Sequence, residues 1–410
     1  MVEEVRKQLE AFEHRRGLRK RRRKPKDQRV FEQSVTAIVS DLMYRELTEP
    51  GGSLAVSLSN EILGRPDRYA SPVLSKAFKT LLTEMSSPAM DWLTLTKGQK
   101  GHFGTSRLST IKATERLLRY MGNAGIGLED IGRTHSDETI ILKDEKEDRF
   151  DRGERVDYEE TADTLRYRAD VQRINDWLAQ AEIDFDDAVA PGKSVDIYDR
   201  RLRRIFNNNR FDHGGRLYGG FWQNLKKSER AEGILIDGEA VVILDLGQTA
   251  ARILYGIADA RLPEGDLYSL PELIGSRDGV KKLLNAAIYA DCQLERYPPG
   301  TKTLMPRHLK FGEAIGFITA YHHSIAHLFF SGLGLNVMFR ESQIMVDTLL
   351  RLIDHKIVAL PIHDAIVVSR TQEMAAKAIM SSVFRDHTGV EAQVKVEAGD
   401  DGVLPAYITT

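Results

Sequence analysis

The 410-residue chain contains a single cysteine, Cys292. One thiol excludes an intramolecular disulfide and any cysteine-rich zinc site, and it fits a reducing cytoplasm. Long apolar runs are missing as well. No segment reaches the ~18 consecutive apolar residues of a membrane-crossing helix, and no secretory leader is visible. No internal repeat period stands out. What remains reads as a cytoplasmic globular protein, 42% apolar and 29% charged, long enough for two or three domains.

Charge of one sign is also missing overall, since the formal net charge is -2. It is unevenly distributed, however. Residues 15–29, "RRGLRKRRRKPKDQR", hold ten Lys/Arg against one Asp. A block this dense repels itself, and phosphate backbones are its natural counter-surface through counterion release. Arg21, Arg22 and Arg23 are therefore candidate nucleic-acid contacts on a basic arm over residues 1–30; a solvated tail or helix end is the bland alternative. Residues 143–163, "KDEKEDRFDRGERVDYEETAD", are rich in acid and mark a polar boundary between an N-terminal and a C-terminal part.

Periodicity places helices over "VFEQSVTAIVSDLMYREL" and "SPVLSKAFKTLLTEM", the latter with Ser71 as cap and Pro72 in its first turn. "MDWLTLTKG" and "ETIILKD" read as strands, and "LSTIKATERLLRYMGNAG" as a helix closed by Gly122 or Gly125. Residues 31–150 would then form a helical or winged-helix-like region whose basic glycine-rich loop is "KGQKGHFGTSR". "LRYRADVQRINDWLAQAE" and "YDRRLRRIFNNNRF" read as helices over 151–210. After them, "ILIDGEAVVILDLG" reads as a hairpin turning at Asp-Gly. Long helices follow to residue 355. Two strands, "IVALPIHDAIVVS" and "AQVKVEAG", flank the helix "TQEMAAKAIMSSVFRDH". A sheet with helices on one side makes this an α+β protein.

Two aspartates stand out against this texture. Asp364 lies within the apolar run "LPIHDAIVV", and Asp245 follows four apolar residues in "VVILDLGQTAAR". A charge in such a setting loses hydration and must be paired, protonated or metal-bound. Two strands carrying one carboxylate each are able to bring both to one point, as hard divalent cations such as Mg²⁺ require. The alternative is that each aspartate caps a turn at its strand end. A third element weighs on the choice. In "RDGVKKLLNAAIY", Arg277, Lys281, Asn285 and Tyr289 recur every four residues, forming a row along one helix face. Such a row suits a triphosphate at one end and a base at the other; an amphipathic helix with a basic solvent edge has the same pattern.

Taken in order, these segments resemble the palm and fingers of the family A polymerase superfamily, which includes family A DNA polymerases and single-subunit phage-type RNA polymerases. "LDLGQTAAR" resembles the first palm motif with Asp245 as metal ligand. "RDGVKKLLNAAIYA" resembles the fingers helix, and "IHDAIVV" the second palm motif, with His363 before the metal ligand Asp364. "FDHGGRLYGG" resembles the Asp-x-x-Gly-Arg-x-Tyr segment of the phage-type enzymes, matched by Asp212, Gly215, Arg216 and Tyr218. "FRESQIMVDTLLRL" stands where the family has a helix bordering the palm, with Gln343 near the primer–template minor groove. The resemblance covers roughly residues 200–400 and implies a right-hand architecture. In that scheme 151–210 would be thumb-like helices and connection, 211–255 and 346–410 the two parts of the palm, and 256–345 the fingers.

The resemblance implies a template-directed nucleotidyltransferase extending a 3′ hydroxyl with two Mg²⁺ ions, or Mn²⁺ in their place. Asp245 and Asp364 would hold the metals. Lys281 would neutralise charge at the α-phosphate and protonate the leaving pyrophosphate, and Arg277 would bind the outer phosphates. Tyr289 would pack near base and sugar, while Arg216 would contact nucleic-acid backbone or the edge of the site. The partners implied are a DNA template (or RNA), nucleoside triphosphates and other replication proteins, with no membrane. Two departures matter. Family DNA polymerases usually have Glu five residues after the first Asp, where this chain has Ala250, and Glu after His-Asp, where it has Ala365. The small residue at 250 leaves room for a ribose 2′ hydroxyl, so ribonucleotides are expected to be accepted, with Glu341 or Tyr289 nearby to recognise that hydroxyl. An RNA polymerase- or primase-like enzyme follows. The alternatives are a family A-like DNA polymerase using dNTPs, a metal-dependent nuclease, and a non-catalytic nucleic-acid-binding replication protein.

Overall fold

The computed structural model describes residues 1–19, 21–58, 63, 68–69, 76–99, 108–131, 138–146, 153–193 and 195–397. They divide into two compact units, Met1–Glu138 with Ser194–Tyr198, and Thr139–Lys193 with Asp199–Thr410. Among the described residues no helix is long and apolar enough to cross a membrane.

The first unit contains helices α1 (Val2–Arg15) and α2 (Pro25–Thr48), strand β1 (Leu54–Val56), helix α3 (Lys76–Met85), strands β2 (Leu93–Thr96) and β3 (Ser109–Ala113), and helix α4 (Glu115–Ala124). The strands form an antiparallel sheet in the order β1-β3-β2. Val5, Leu9 and Phe12 line one face of α1 and enter a core with Val35, Val39, Leu82 and Trp92. Residues 1–30 are thus largely helical, because that apolar stripe has a core to cover. The basic block is the turn between α1 and α2. Arg19 and Arg23 are tied to the buried Glu13, and the Arg23 guanidinium lies 3.6 Å over the Phe31 ring. Arg21 and Arg22 stay exposed. Ser71, Pro72 and most of the glycine-rich loop, residues 100–107, lie outside the described residues. "LSTIKATERLLRYMGNAG" is not one helix. β-branched Thr110 and Ile111 take up a strand, and α4 starts after Thr114 and ends at Gly125 with φ 61°.

The second unit begins with β4 (Ile140–Lys143), β5 (Arg155–Val156), α5 (Ala162–Gln180), β6 (Ile183–Phe185), β7 (Leu202–Asn207) and β8 (Arg210–Gly219). It continues through α6 (Lys227–Gly233), β9 (Ile234–Ile236), β10 (Glu239–Leu246), α7 (Thr249–Ile257), α8 (Arg277–Tyr289), α9 (Phe311–Tyr321) and α10 (Gly334–Asp354). It ends with β11 (Ala359–Ile362), β12 (Ala365–Ser369), α11 (Glu373–Thr388) and β13 (Val394–Glu397). One sheet has the order β11-β12-β10-β9-β6, with β13 also pairing β10; a second has the order β5-β4-β7-β8. Helix and sheet are mixed, as expected of an α+β chain.

Two strand assignments differ from the sequence expectation. "YDRRLRRIFNNNRF" is not helical. It holds β7 and the start of β8, and burial alternates along Leu202–Asn207, with Leu202, Arg204 and Phe206 inside. Arginine has good helix propensity, but strand pairing and a core to fill on one face decide the outcome. "IVALPIHDAIVVS" is likewise a hairpin rather than one strand. Ile362 pairs with Ala365, so His363 and Asp364 form its two-residue turn, and His363 adopts φ 55°. The hairpin expected at Asp237-Gly238 is present between β9 and β10, with φ 52° and 73° at those two residues, as a type I′ turn requires.

Close packing of β8 on α10 explains Gly215, and the Asn207 side chain of β7 crowds its neighbour Gly214. A Cβ at Gly215, where φ is 78°, would meet Ser342 Oγ at 2.8 Å and the Phe206 ring at 3.0 Å. Beneath this contact lies Arg204, fully buried among Tyr167, Phe206 and Phe339. Its guanidinium donates to Gly215 O at 2.8 Å, Ser342 Oγ at 3.0 Å and Gln343 Oε1 at 2.8 Å. Burial pulls its pKa down to about 10.

Candidate active site

The two aspartates meet. One residue before its end, β10 pairs Asp245 across the ladder with Ala365, the residue after Asp364. The Leu246 N–H donates to Asp364 O at 3.1 Å, which ties the His363-Asp364 turn to the end of β10. Both carboxylates face a cavity of about 400 Å³. Opposite them α8 presents Arg277, Lys281, Asn285 and Tyr289, so the four-residue spacing does put the whole row on one face. Arg216 of β8, Glu341 of α10 and Ala250 of α7 complete the wall. Tyr289 packs against α10 because residue 334 is glycine; a Cβ there would come within 2.5 Å of its ring.

Several other candidates lie elsewhere. His363 and Tyr218 are exposed and sit ring to ring at 6.1 Å, beyond the cavity lining. Gln343 is held by Arg204 through its side-chain oxygen. Arg21, Arg22 and Arg23 belong to the first unit, and of these Arg23 is already satisfied by Glu13.

The site's electrostatics are those of under-neutralised acids. Among the described residues neither Asp245 nor Asp364 forms an ion pair. Asp364 Oδ2 accepts only a long bond from Thr249 Oγ1, at 3.4 Å. Burial, with Asp364 and Glu397 nearby, pushes the Asp245 carboxyl up to about 6 against the opposing pull of Lys281 and Lys227. Glu341 is pushed up to about 7 by burial, although Arg216 donates to it at 2.7 Å. It is therefore engaged by a cation rather than standing free. Tyr289 is raised to about 12 by burial. Asn285 Oδ1 is buried without a hydrogen-bond partner in a residue that lines the cavity.

The cationic end is organised by a residue outside every motif. Asp266 accepts from Arg277 Nε at 2.5 Å, from Gln248 Nε2 at 2.6 Å and from the Tyr268 N–H at 2.9 Å. Tyr268, Gln248, Lys395 and Glu397 also line the cavity. No spacing signal marks Tyr268, Lys395 or Glu397, which reach the site through the 266–268 loop and the β10–β13 ladder; Gln248 directly follows β10, within "LDLGQTAAR". Arg204 was equally invisible, since only strand alternation turns it inward.

A divalent cation fits this donor set. The carboxylates are hard oxygen donors, half-buried and lacking a cationic partner. Among the described residues no group of three or more His, Cys, Asp or Glu is placed to hold a metal, so two carboxylates would leave most positions to water and ligand oxygens. The fit has a measurable consequence. Asp245 and Glu341 bind protons more tightly folded than unfolded, where ~3.9 and ~4.3 are usual. Their contribution to stability is thus fully present below about pH 4 and is lost as pH rises through about 6 and 7. Thermal melts without metal are expected to fall between pH 5 and pH 8. Added Mg²⁺ should raise Tm at pH 8 and leave it nearly unchanged at pH 5, and Asp245→Asn should flatten both responses.

No family model matches the chain, and no curated protein matches it either. Among solved structures, it is similar to the POL domain of Pol1 from M. smegmatis in complex with DNA primer-template and dNTP, with 12% identity and a TM-score of 0.32. The overlap covers 90% of this chain, which spans 65% of that domain's chain.

Proposed function

We propose that the second unit is a template-directed nucleotidyltransferase that extends a 3′ hydroxyl. One observation carries the reading: two carboxylates without cationic partners, one at the end of β10 and one in the β11–β12 turn, face a row of Arg277, Lys281, Asn285 and Tyr289 across a single cavity. A nuclease needs the acids without that row, and a binding protein needs neither.

In this reading Asp245 and Asp364 hold a pair of Mg²⁺ ions, or Mn²⁺ in their place. When bound, such a pair lowers the pKa of the 3′ hydroxyl and neutralises the leaving phosphates. The chain's own residues do the rest. Arg277, oriented by Asp266, presents its planar fork to the outer phosphates. Lys281, exposed and lining the cavity, neutralises the α-phosphate side and protonates the leaving pyrophosphate. Tyr289, seated on Gly334, supports base and sugar. Asn285 offers its unsatisfied oxygen to a donor on the incoming nucleotide. Arg216 and Glu341 form a paired wall near the sugar, and Tyr218, His363 and Gln343 border the path of the primer–template. Arg21 and Arg22 of the first unit grip nucleic-acid backbone. The catalytic gain comes from fixed charge and position.

Primer extension tests this reading. Wild-type protein with Mg²⁺ is expected to lengthen a primed template and release pyrophosphate. Mg²⁺-dependent shortening of the nucleic acid without addition would instead identify a nuclease. Ala250 leaves the floor of the cavity open, so both NTPs and dNTPs enter and ribonucleotides are accepted. Ala250→Glu should shift kcat/KM toward dNTPs by about tenfold or more, as a carboxylate set against a 2′ hydroxyl strips it of water and crowds it. An unchanged NTP/dNTP ratio in that variant would remove the sugar-selectivity claim.

A further inference from the structure

The cavity has a wall on the sheet side that no motif indicates. β13 pairs antiparallel with β10, in the register Asp245↔Lys395 and Ile243↔Glu397. Residues opposite one another in such a ladder project to the same face. Lys395 therefore stands beside Asp245, and Glu397 lies on the same side two residues further on; both line the cavity. Their partners separate them. Glu397 is paired with Lys227 at 3.3 Å. Lys395 is exposed and forms no ion pair among the described residues.

Lys395 shares the cavity with the cations of α8. Lys395 acts on Asp266, the carboxylate that orients Arg277. Three cations from two elements, Arg277 and Lys281 on α8 and Lys395 on β13, thus line the same cavity. A row on one helix supplies charge along one side only. A polyphosphate carries several negative charges around each phosphorus and is held better between opposed cations than against one wall.

We propose that Lys395 is a substrate-binding residue for the terminal phosphates of the nucleoside triphosphate, and for the pyrophosphate that leaves, closing on them from the sheet side opposite Arg277. The assignment rests on the nucleotidyl-transfer reading, and its test separates the two. Calorimetric titration with magnesium tripolyphosphate is compared for wild type, Lys395→Gln and Lys395→Arg, with circular dichroism to check that β13 still forms. Loss of one charge-assisted contact is expected to weaken binding by about tenfold in Lys395→Gln, with Lys395→Arg close to wild type. Primer extension by the same proteins should show KM for the nucleotide and the inhibition constant of pyrophosphate rising together in Lys395→Gln, with affinity for primed template unchanged. Equal tripolyphosphate binding by wild type and Lys395→Gln, or none by either, overturns the assignment. If tripolyphosphate binding weakens as expected but wild type extends no primer, the phosphate clamp stands and the polymerase reading falls.

Discussion

Asp245→Asn and Asp364→Asn are each expected to abolish nucleotide addition, lowering the rate by at least about 10²–10³-fold, the loss seen when one preorganised electrostatic group is removed from a reacting centre. The substitution keeps the shape of the side chain and removes its charge. Asp245 has no ion pair to lose, and Asp364 loses only a 3.4 Å contact from Thr249. Folding should therefore be intact, and Asp245→Asn should melt higher than wild type above pH 7 without metal, because the carboxyl it replaces is charged there against its environment. Affinity for primed template should persist. Single-turnover extension, melts and a template-binding isotherm on the same preparations read all three. Activity retained in either variant would dismantle the site, whereas activity lost together with fold or template binding would leave the aspartates a merely structural role.

The largest effect on stability is expected at a residue remote from the chemistry. Arg204→Ala should destabilise the second unit by about 3–5 kcal/mol, since it empties a fully buried volume and strips donors from Gly215 O, Ser342 and Gln343. At ~2–4 °C per kcal/mol for a unit of this size, the melting transition should fall by roughly 6–20 °C. Arg204→Met fills much of the space but leaves the Gly215 carbonyl and Gln343 oxygen unpaired, so it should recover only part of the loss. Denaturant melts of the three proteins measure this. The Met variant, being folded at low temperature, also reports function: with its oxygen released, Gln343 loses its orientation, and affinity for primed template should drop while nucleotide KM holds.

The candidate site was legible where chemistry leaves a local imprint. Asp245 and Asp364 stand out because a carboxylate amid Val, Ile and Leu is expensive wherever the chain goes. The Arg277-to-Tyr289 row stands out because helical spacing survives in any tertiary setting. The turn at His363-Asp364 did not, because it lacks glycine and apolar residues flank it on both sides; only the Ile362–Ala365 pairing reveals it. Arg204 was masked by three neighbouring arginines that suit a helix equally well. Lys395, Glu397 and Asp266 had no signal at all, since their place depends on ladder register and on a loop that bonds back to α8. In the first unit, α1 was hidden by the basic block after it, although Val5, Leu9 and Phe12 carry a helical stripe.

The proposed function depends on Asp245 and Asp364 sharing a divalent cation. Titration of Mn²⁺ into the protein without nucleotide, followed by the electron paramagnetic resonance of free Mn²⁺, measures that sharing directly. The expected result is saturable binding by wild type that is lost in Asp245→Asn, lost in Asp364→Asn, and no further reduced in the double variant. Binding that survives either single substitution, or that falls in two independent halves, would contradict a common site.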